Sequence, residues 1–369
     1  MKNGSIYSAS DKALFDALTQ NAVTNADLRQ LFLRHGIVIS KQTSRKNLAK
    51  YFSRLVHDYD DFQLLAKLFD TGQRKERTSC FRVQSGATLS DFENAAHRLV
   101  ATMISEGHSA QLKVLDTGAI QIDVTYKKFH FDKNEFKQLA TRHAILTIEN
   151  EDGEIVVAGP QNSDVDNWSR ILISEVSDAI DGTLDISEIS LDGISDVAIR
   201  TKFFLNLITL MPGLRMVDVS DVYLHKPKEF SAGIDEFESE ANVVELDNDQ
   251  VQSNGFEDVK LDVHISRAAL RGQGVLESSQ IQELLKQDFY IARIVWLAKP
   301  NIFDADLYEF EAQFAEPESC TRFSFLTKGF YAYKGDGEHS ITRTQFPRQE
   351  DRRLSRLIEA AARKSLLTL

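Results

Sequence analysis

Two apolar stripes with helical spacing stand out near the N-terminus. Both follow positions i, i+3, i+4 and i+7; their members are Leu28, Leu31, Phe32 and His35, then Leu48, Tyr51, Phe52 and Leu55. Thr24, with Asp27 three residues later, is typical of a helix start, and Gly36 of a helix end. Thr43 or Ser44 can cap a second helix. The pattern predicts helix, extended loop and helix across residues 24–55.

The hydrophobic period changes twice further along the chain. Helical spacing before and after residues 24–55 predicts a four-helix domain at residues 1–72. A helix at 89–106 is followed by alternating stretches around Asp-Thr-Gly and Glu-Asp-Gly turns, which predicts an α+β domain with hairpins at residues 80–182. Residues 183–369 mix helical and alternating stretches. The predicted fold class is therefore α+β, with an N-terminal helical head followed by two α+β domains with mainly antiparallel sheets.

An acidic segment interrupts the last predicted domain. Residues 229–262 contain ten or more Asp or Glu and a single base, Lys260. The apolar side chains at residues 234–257 keep neither a helical nor a strand period, and the carboxylates repel one another. We therefore expect residues 234–257 to form an exposed, mobile loop.

Charge is distributed unevenly along a chain of 369 residues with a net charge of −12. Residues 1–77 carry 13 Lys or Arg against 8 Asp or Glu, which leaves 30 against 47 for the remainder. Lys46, Lys50 and Arg54 follow one another at i, i+4 and i+8 on the second predicted helix, with Arg34 and Lys41 near the loop. A basic head on an acidic body is typical of a protein that binds phosphate at one end.

A resemblance adds to this reading of residues 24–57. The segment comprises ADLRQLFLRHGI at 26–37, a polar loop, and RKNLAKYF at 45–52. It looks like the SAP family of helix–extended loop–helix modules, which commonly bind DNA or RNA, although SKQTS at 40–44 replaces that family's usual second glycine. The resemblance implies nucleic-acid binding through six cations: Arg34, Lys41, Arg45, Lys46, Lys50 and Arg54. The alternative is a helical domain that docks on the rest of the chain and whose lysines are merely solvated.

Most catalytic motifs are absent from the sequence, including a phosphate-binding loop and a serine-hydrolase elbow. Asp258-Val259-Lys260 could form the D-x-K half of a PD-(D/E)xK nuclease, with Asp221 or Asp218 as the second Mg²⁺ ligand. Such triplets also arise by chance in a charged chain. This nuclease is kept as an alternative, and Mg²⁺ is expected only under it.

No other metal or cofactor is expected from the sequence. Cys80 and Cys320 stand far apart, and the nine histidines form no ligand pattern such as H-x-x-x-H. His97, His130 and His143 are expected to be hydrogen-bonded structural residues. Neither a signal peptide nor a run of apolar residues long enough to span a bilayer is present, so we expect a cytoplasmic location and no membrane contact.

Taken together, these patterns favour a non-catalytic, nucleic-acid-associated recognition or scaffolding protein. We expect DNA or RNA to bind the head and protein partners to bind the body. A place in a bacterial multi-protein antiviral defence system is suggested by architecture alone. A protein–protein adaptor without nucleic acid is the other alternative.

Overall fold

A computed structural model describes residues 9–20, 23–69, 75–84, 86–130, 136, 139–227, 244–247 and 266–369. The chain forms two compact units: unit 1 comprises Met1–Lys75 and Ser90–Leu146, and unit 2 comprises Glu76–Leu89 and Thr147–Leu369. Helices and a large, mostly antiparallel sheet confirm the α+β class. The three-domain division remains a prediction.

Unit 1 begins with four short helices, α1 (Asp11–Leu18), α2 (Asn25–Arg34), α3 (Arg45–Phe52) and α4 (Tyr59–Phe69). Ser10, Thr24 and Ser44 cap the first three of them, each through a side-chain oxygen that accepts a backbone N–H. Phe32 and Phe52 are buried edge to face at 5.2 Å between α2 and α3. The two stripes read from the sequence therefore pack against each other, as predicted.

Among its described residues, the remainder of unit 1 contains a long helix and three strands. Helix α5 (Leu89–Ser105) precedes strands β2 (Ser109–Val114) and β3 (Ile120–Phe129), which pair in antiparallel register. The turn between them contains Gly118 at φ +81°, which supplies the left-handed backbone of the predicted hairpin. Strand β4 (Leu139–Glu151) begins in unit 1 and ends in unit 2. The sequence pattern also predicts a short helix at residues 133–141. Most of it lies outside the described residues, and its last residues belong to β4.

Unit 2 is built on a broad sheet. Its strands are β1 (Thr78–Val83), the end of β4, β5 (Glu154–Pro160), β6 (Ile186–Glu188), β7 (Leu214–His225), β8 (Val244–Asp247), β9 (Arg267–Arg271), β10 (Tyr290–Pro300), β11 (Leu307–Glu316) and β12 (Thr321–Tyr331). Their order is β4-β5-β1-β12-β11-β10-β7-β9-β8, and β6 pairs with β1 beside this row. All of these pairs are antiparallel except β8 with β9. A short separate hairpin follows, β13 (Tyr333–Gly335) with β14 (Glu338–His339).

The helices of unit 2 within the described ranges are α6 (Ser163–Ile180), α7 (Val197–Thr209), α8 (Ser279–Lys286) and α9 (Arg348–Leu367), and a 3₁₀ turn spans Val275–Glu277. Helix α7 packs on β10, α9 packs on β12, and the two helices touch each other. Phe203, Trp296, Phe310 and Ile358 are fully buried between these helices and one face of the sheet. This layer is the main core of unit 2.

Two sequence expectations about residues 183–369 have different outcomes. Within the predicted acidic loop, Val244–Asp247 forms a strand parallel to β9, so a loop does not describe these four residues. The other residues of 234–257 lie outside the described part. The aromatic residues Phe323, Phe325, Phe330, Tyr331 and Tyr333 could stack on bases, but the alternation of the strand favours a core. Phe323 and Phe325 are buried, and the Phe323 ring packs against Phe203, Phe314 and Phe325, which confirms the core for these two.

Candidate nucleic-acid interface

Helix α2 is fixed at both ends by hydrogen bonds that the sequence encodes. The Thr24 hydroxyl accepts the Asp27 N–H at 3.2 Å, and the Asp27 carboxylate accepts the Thr24 N–H at 2.8 Å. The Asp27 carboxylate accepts hydrogen bonds from the Thr24 hydroxyl and the Thr24 N–H. Both lower the pKa of Asp27, and the hydroxyl has the larger effect. At the other end Gly36, at φ +69°, donates its N–H to the Leu33 carbonyl at 2.9 Å. The last turn of α2, with Arg34, therefore has a defined position.

Two arginines hold the connections around α3. Arg29 Nη2 donates to the Lys41 carbonyl oxygen at 2.7 Å, which ties the α2–α3 loop to α2. Arg45 Nη2 donates to the carbonyl oxygens of Leu18, at 3.3 Å, and Gln20. Because the last carbonyls of a helix lack intrahelical partners, this guanidinium caps α1. Arg45 is only half-exposed, and we leave it out of the outward-facing cations for this reason.

The five other predicted cations form what we call the cationic surface: Arg34, Lys41, Lys46, Lys50 and Arg54. All five are exposed, and none has an ion-pair partner within the described ranges of the chain. Lys46 and Lys50 project from α3 one turn apart, and Arg54 follows in the turn that ends this helix. Unpaired cations of this kind are free to bind phosphates.

The sequence around the cationic surface contains no acid. Residues 28–57 carry seven Lys or Arg and no Asp or Glu, whereas the acids of the head that the structure describes lie on α1, at the start of α2, and on α4 or just before it. In the part of unit 1 that is described, the exposed acids nearest in sequence to this stretch are Asp58 and Asp60. The positive potential of α3 is therefore not cancelled by acids within its own stretch of chain.

One aromatic side chain lies among these cations. Tyr51 was assigned to the apolar stripe of the second helix, but 48% of it is exposed, so that assignment is wrong. Successive residues turn 100° about a helix, and the buried face of α3 is centred on Leu48, Ala49 and Phe52. Tyr51 therefore lies to one side of that face, next to Lys50. An exposed ring beside a lysine can stack on an unpaired base.

A second group of polar side chains lies beside the cationic surface, and the sequence did not reveal it. His35 Nε2 is 3.0 Å from Asp61 Oδ2, and His57 Nδ1 is 3.6 Å from the same oxygen. Both nitrogens are buried, and neither makes a hydrogen bond. The ligand atoms of the three residues lie within 4.8 Å of one another. We call this group the His35–His57–Asp61 cluster.

The sequence carried only a partial signal for this cluster. His57 and Asp61 stand four residues apart, as H-x-x-x-D, whereas a search for two histidines at this spacing finds nothing. His35 is 22 residues earlier and joins them only because α2 and α4 fold onto α3. Of the three histidines singled out from the sequence, His143 is hydrogen-bonded to Thr125 at 2.8 Å, and His97 is exposed.

The acids of the alternative nuclease site are bound by other groups where the structure describes them. Asp221 Oδ2 lies 3.2 Å from Arg271 Nη2 and 3.5 Å from Arg293 Nη2. Asp218 accepts the Gly274 N–H at 2.9 Å. Asp258 and Lys260 lie outside the described residues.

Asp221 belongs to a network of charges on the sheet of unit 2. Glu311, which is 1% exposed, accepts from Arg77 Nε at 2.9 Å and Arg293 Nε at 3.0 Å. Lys328 Nζ lies 2.9 Å from Glu309 Oε1 and 3.8 Å from Glu311 Oε2. These carboxylates are neutralised by neighbours on β10 and β12 and by Arg77, so their arrangement is that of a structural ion-pair network.

Comparison with known proteins supplies no family for the chain: no family model matches it, and no curated protein does. Among the helices that the structure describes, none combines the length and the apolar character needed to cross a bilayer.

Proposed function

We propose that this protein binds nucleic acid through the cationic surface and does so with little sequence preference. The observation that carries the proposal is the set of five exposed, unpaired cations on a stretch that contains no acid. Lysine and arginine contacts to phosphates position a nucleic acid but do not read its bases. Tyr51, which is exposed next to Lys50, is an aromatic side chain that can stack on an unpaired base.

The expected binding is weak and depends steeply on salt. Each neutralised phosphate releases counterions, so five contacts to duplex DNA give a slope of about −4.5 in a plot of log affinity against log salt. Affinity without sequence readout is typically about 10⁻⁴ to 10⁻⁶ M at physiological salt. The net charge of −12 makes binding weaker still unless the acidic body stays away from the phosphates.

Replacing Lys46, Lys50 and Arg54 together by Ala should weaken binding about tenfold or more at low salt. It should also reduce the slope by about 3, because each lost phosphate contact removes about one unit. Fluorescence anisotropy of labelled duplex DNA, single-stranded DNA and RNA, titrated with the full chain at several salt concentrations, measures both quantities.

A matched control removes the same charge elsewhere in unit 1. Lys12 and Lys113 are paired with Asp16 and Asp123, and Lys67 is exposed on α4. Replacing these three by Ala should leave the slope unchanged. Equal losses in both triple variants would indicate a general charge effect, and no binding of any probe by the parent chain would favour the protein adaptor.

Within the same proposal, unit 2 serves as a recognition or scaffolding body with protein partners, and not as a nuclease. A divalent cation at Asp221 would have to displace Arg271 and Arg293. We therefore expect no cleavage of DNA or RNA in excess Mg²⁺, with gel electrophoresis as the readout. If the parent chain cleaves nucleic acid and the Asp221→Asn or Asp258→Asn variant does not, the protein is a nuclease and the non-catalytic proposal is wrong.

A further inference from the structure

The His35–His57–Asp61 cluster has the chemistry of a metal site. Two buried imidazole nitrogens lie close to one carboxylate oxygen, and the three side chains are half-buried, at 23%, 12% and 13% exposure. A mixed nitrogen and oxygen donor set suits Zn²⁺ and related transition ions, whereas Mg²⁺ and Ca²⁺ prefer oxygen alone.

The hydrogen bonds around His57 fix which nitrogen faces the centre of the cluster. His57 Nε2 lies 2.9 Å from the Phe52 carbonyl oxygen, which can only accept, so Nε2 carries the hydrogen. In the neutral ring, the lone pair is then on Nδ1, which faces Asp61. A ligating histidine commonly has this arrangement, in which the outer nitrogen donates to a backbone carbonyl.

Asp61 is also held in place by backbone groups. Its N–H donates to Asp58 Oδ1 at 2.9 Å, and Asp61 Oδ2 accepts the Asp58 N–H at 3.4 Å. This reciprocal pair starts α4 and restrains the carboxylate. The Phe52 ring lies 5.5 Å from the His35 ring and 4.7 Å from the His57 ring, so it forms an apolar wall beside both imidazoles.

The distances fit a tetrahedral ion after a small adjustment. Bonds of about 2.0–2.2 Å to a tetrahedral Zn²⁺ place neighbouring ligand atoms about 3.3–3.6 Å apart. The two observed distances to Asp61 Oδ2, 3.0 and 3.6 Å, bracket that range. The two nitrogens need to approach each other only if their separation is near the 4.8 Å upper bound of the cluster.

We propose that His35 Nε2, His57 Nδ1 and Asp61 Oδ2 bind one Zn²⁺-type ion, with a water molecule in the fourth position. The ion would join the end of α2, the α3–α4 connection and the first turn of α4. It would satisfy two buried nitrogens that otherwise lack a hydrogen-bond partner. This site is independent of the proposed phosphate contacts and uses none of the residues of the cationic surface.

The test uses the full chain after treatment with a chelator. Isothermal titration should give one Zn²⁺ per chain, and Co²⁺ should give the visible absorption of a tetrahedral ion without a thiolate band, since no cysteine is a ligand. Zn²⁺ should also raise the midpoint of thermal unfolding, because an ion that binds only the folded state stabilises it.

Three single variants, His35→Gln, His57→Gln and Asp61→Asn, should each weaken Zn²⁺ binding about tenfold or more. His97→Gln changes an exposed histidine on α5 and is the matched control, which should bind as the parent does. Asp61→Asn keeps a side-chain oxygen that can accept the Asp58 N–H, so a folding defect can be separated from the loss of a ligand. No binding of Zn²⁺ or Co²⁺ by the parent, or unchanged binding in all three variants, would overturn the proposal.

Discussion

Replacing Glu311 by Ala should destabilise unit 2 by about 3–5 kcal/mol, the usual cost of removing one partner from a buried ion pair. Glu311 is almost completely buried and is the common partner of Arg77, Arg293 and Lys328. Without it, Arg77 loses the carboxylate that it binds, whereas Arg293 and Lys328 keep Asp221 and Glu309 but lose the more deeply buried of their two partners. The effect should therefore exceed that of any single exposed charge.

Urea unfolding followed by tryptophan fluorescence suits this measurement. Both tryptophans of the chain, Trp168 and Trp296, belong to unit 2, so their emission reports on that unit. Glu316→Ala is the control, since Glu316 stands on the same strand, is 55% exposed and pairs with Arg322 at 3.6 Å. Its loss should cost no more than about 1 kcal/mol. A Glu311→Ala effect as small as this would show that the network contributes little.

The same network predicts how stability changes with pH. Burial acts to raise the pKa of Glu311, but Arg293, Arg77 and Lys328 outweigh it and hold the pKa below its ordinary value. The pKa of Glu309 is lowered in the same way by Arg343 and Lys328. The unfolded state then binds protons more readily than the folded state. The contribution is complete above about pH 4.3, the ordinary glutamate value, and is lost as pH falls through the folded pKa.

Local rules were sufficient for the helices of the head. The side chains of Thr24 and Ser44 accept backbone N–H groups at the starts of α2 and α3, and Gly36 adopts the left-handed backbone that ends α2. These ends of the two helices could therefore be predicted from the sequence. The exposure of Lys46 and Lys50 follows from their position opposite the buried Leu48 and Phe52. The cationic surface could be predicted to this extent without a structure.

Contacts between distant residues were not accessible in the same way. Arg45 is of a residue type that commonly binds phosphate. Its guanidinium nevertheless donates to the carbonyl oxygens of Leu18 and Gln20 at the end of α1, which lie 27 and 25 residues earlier in the sequence. His35 joins His57 only through tertiary packing. The strand order of unit 2 places β1 beside β12, which no periodicity encodes. Hydrophobic periodicity and capping residues predict helices and strands, whereas the contacts of a side chain depend on how those helices and strands pack together.

The segment that contains Arg343 and Thr344 pairs with strand β12 next to Gly329. The Phe330 N–H donates to the Thr344 carbonyl oxygen at 2.8 Å, and the reverse bond has the same length. This pairing places Arg343 Nη1 2.6 Å from Glu309 Oε2. Gly329 lies at φ +141°, and a Cβ atom there would stand 2.3 Å from the Thr344 oxygen. This close approach therefore requires glycine, because the nearest atom is a backbone oxygen and cannot rotate away.

Replacing Gly329 by Ala should accordingly destabilise unit 2 by about 3–5 kcal/mol, as the sum of backbone strain, overpacking and the displaced Arg343–Glu309 pair. Gly193→Ala is the matched control, since Gly193 also has a positive φ, +78°, but has open space at its Cβ position. It should cost only the strain, about 1–2 kcal/mol. Tryptophan-detected urea unfolding compares the two variants within unit 2. If the two substitutions lower the free energy of unfolding equally, the close approach of Thr344 contributes nothing, and the positive φ angle alone explains why residue 329 is glycine.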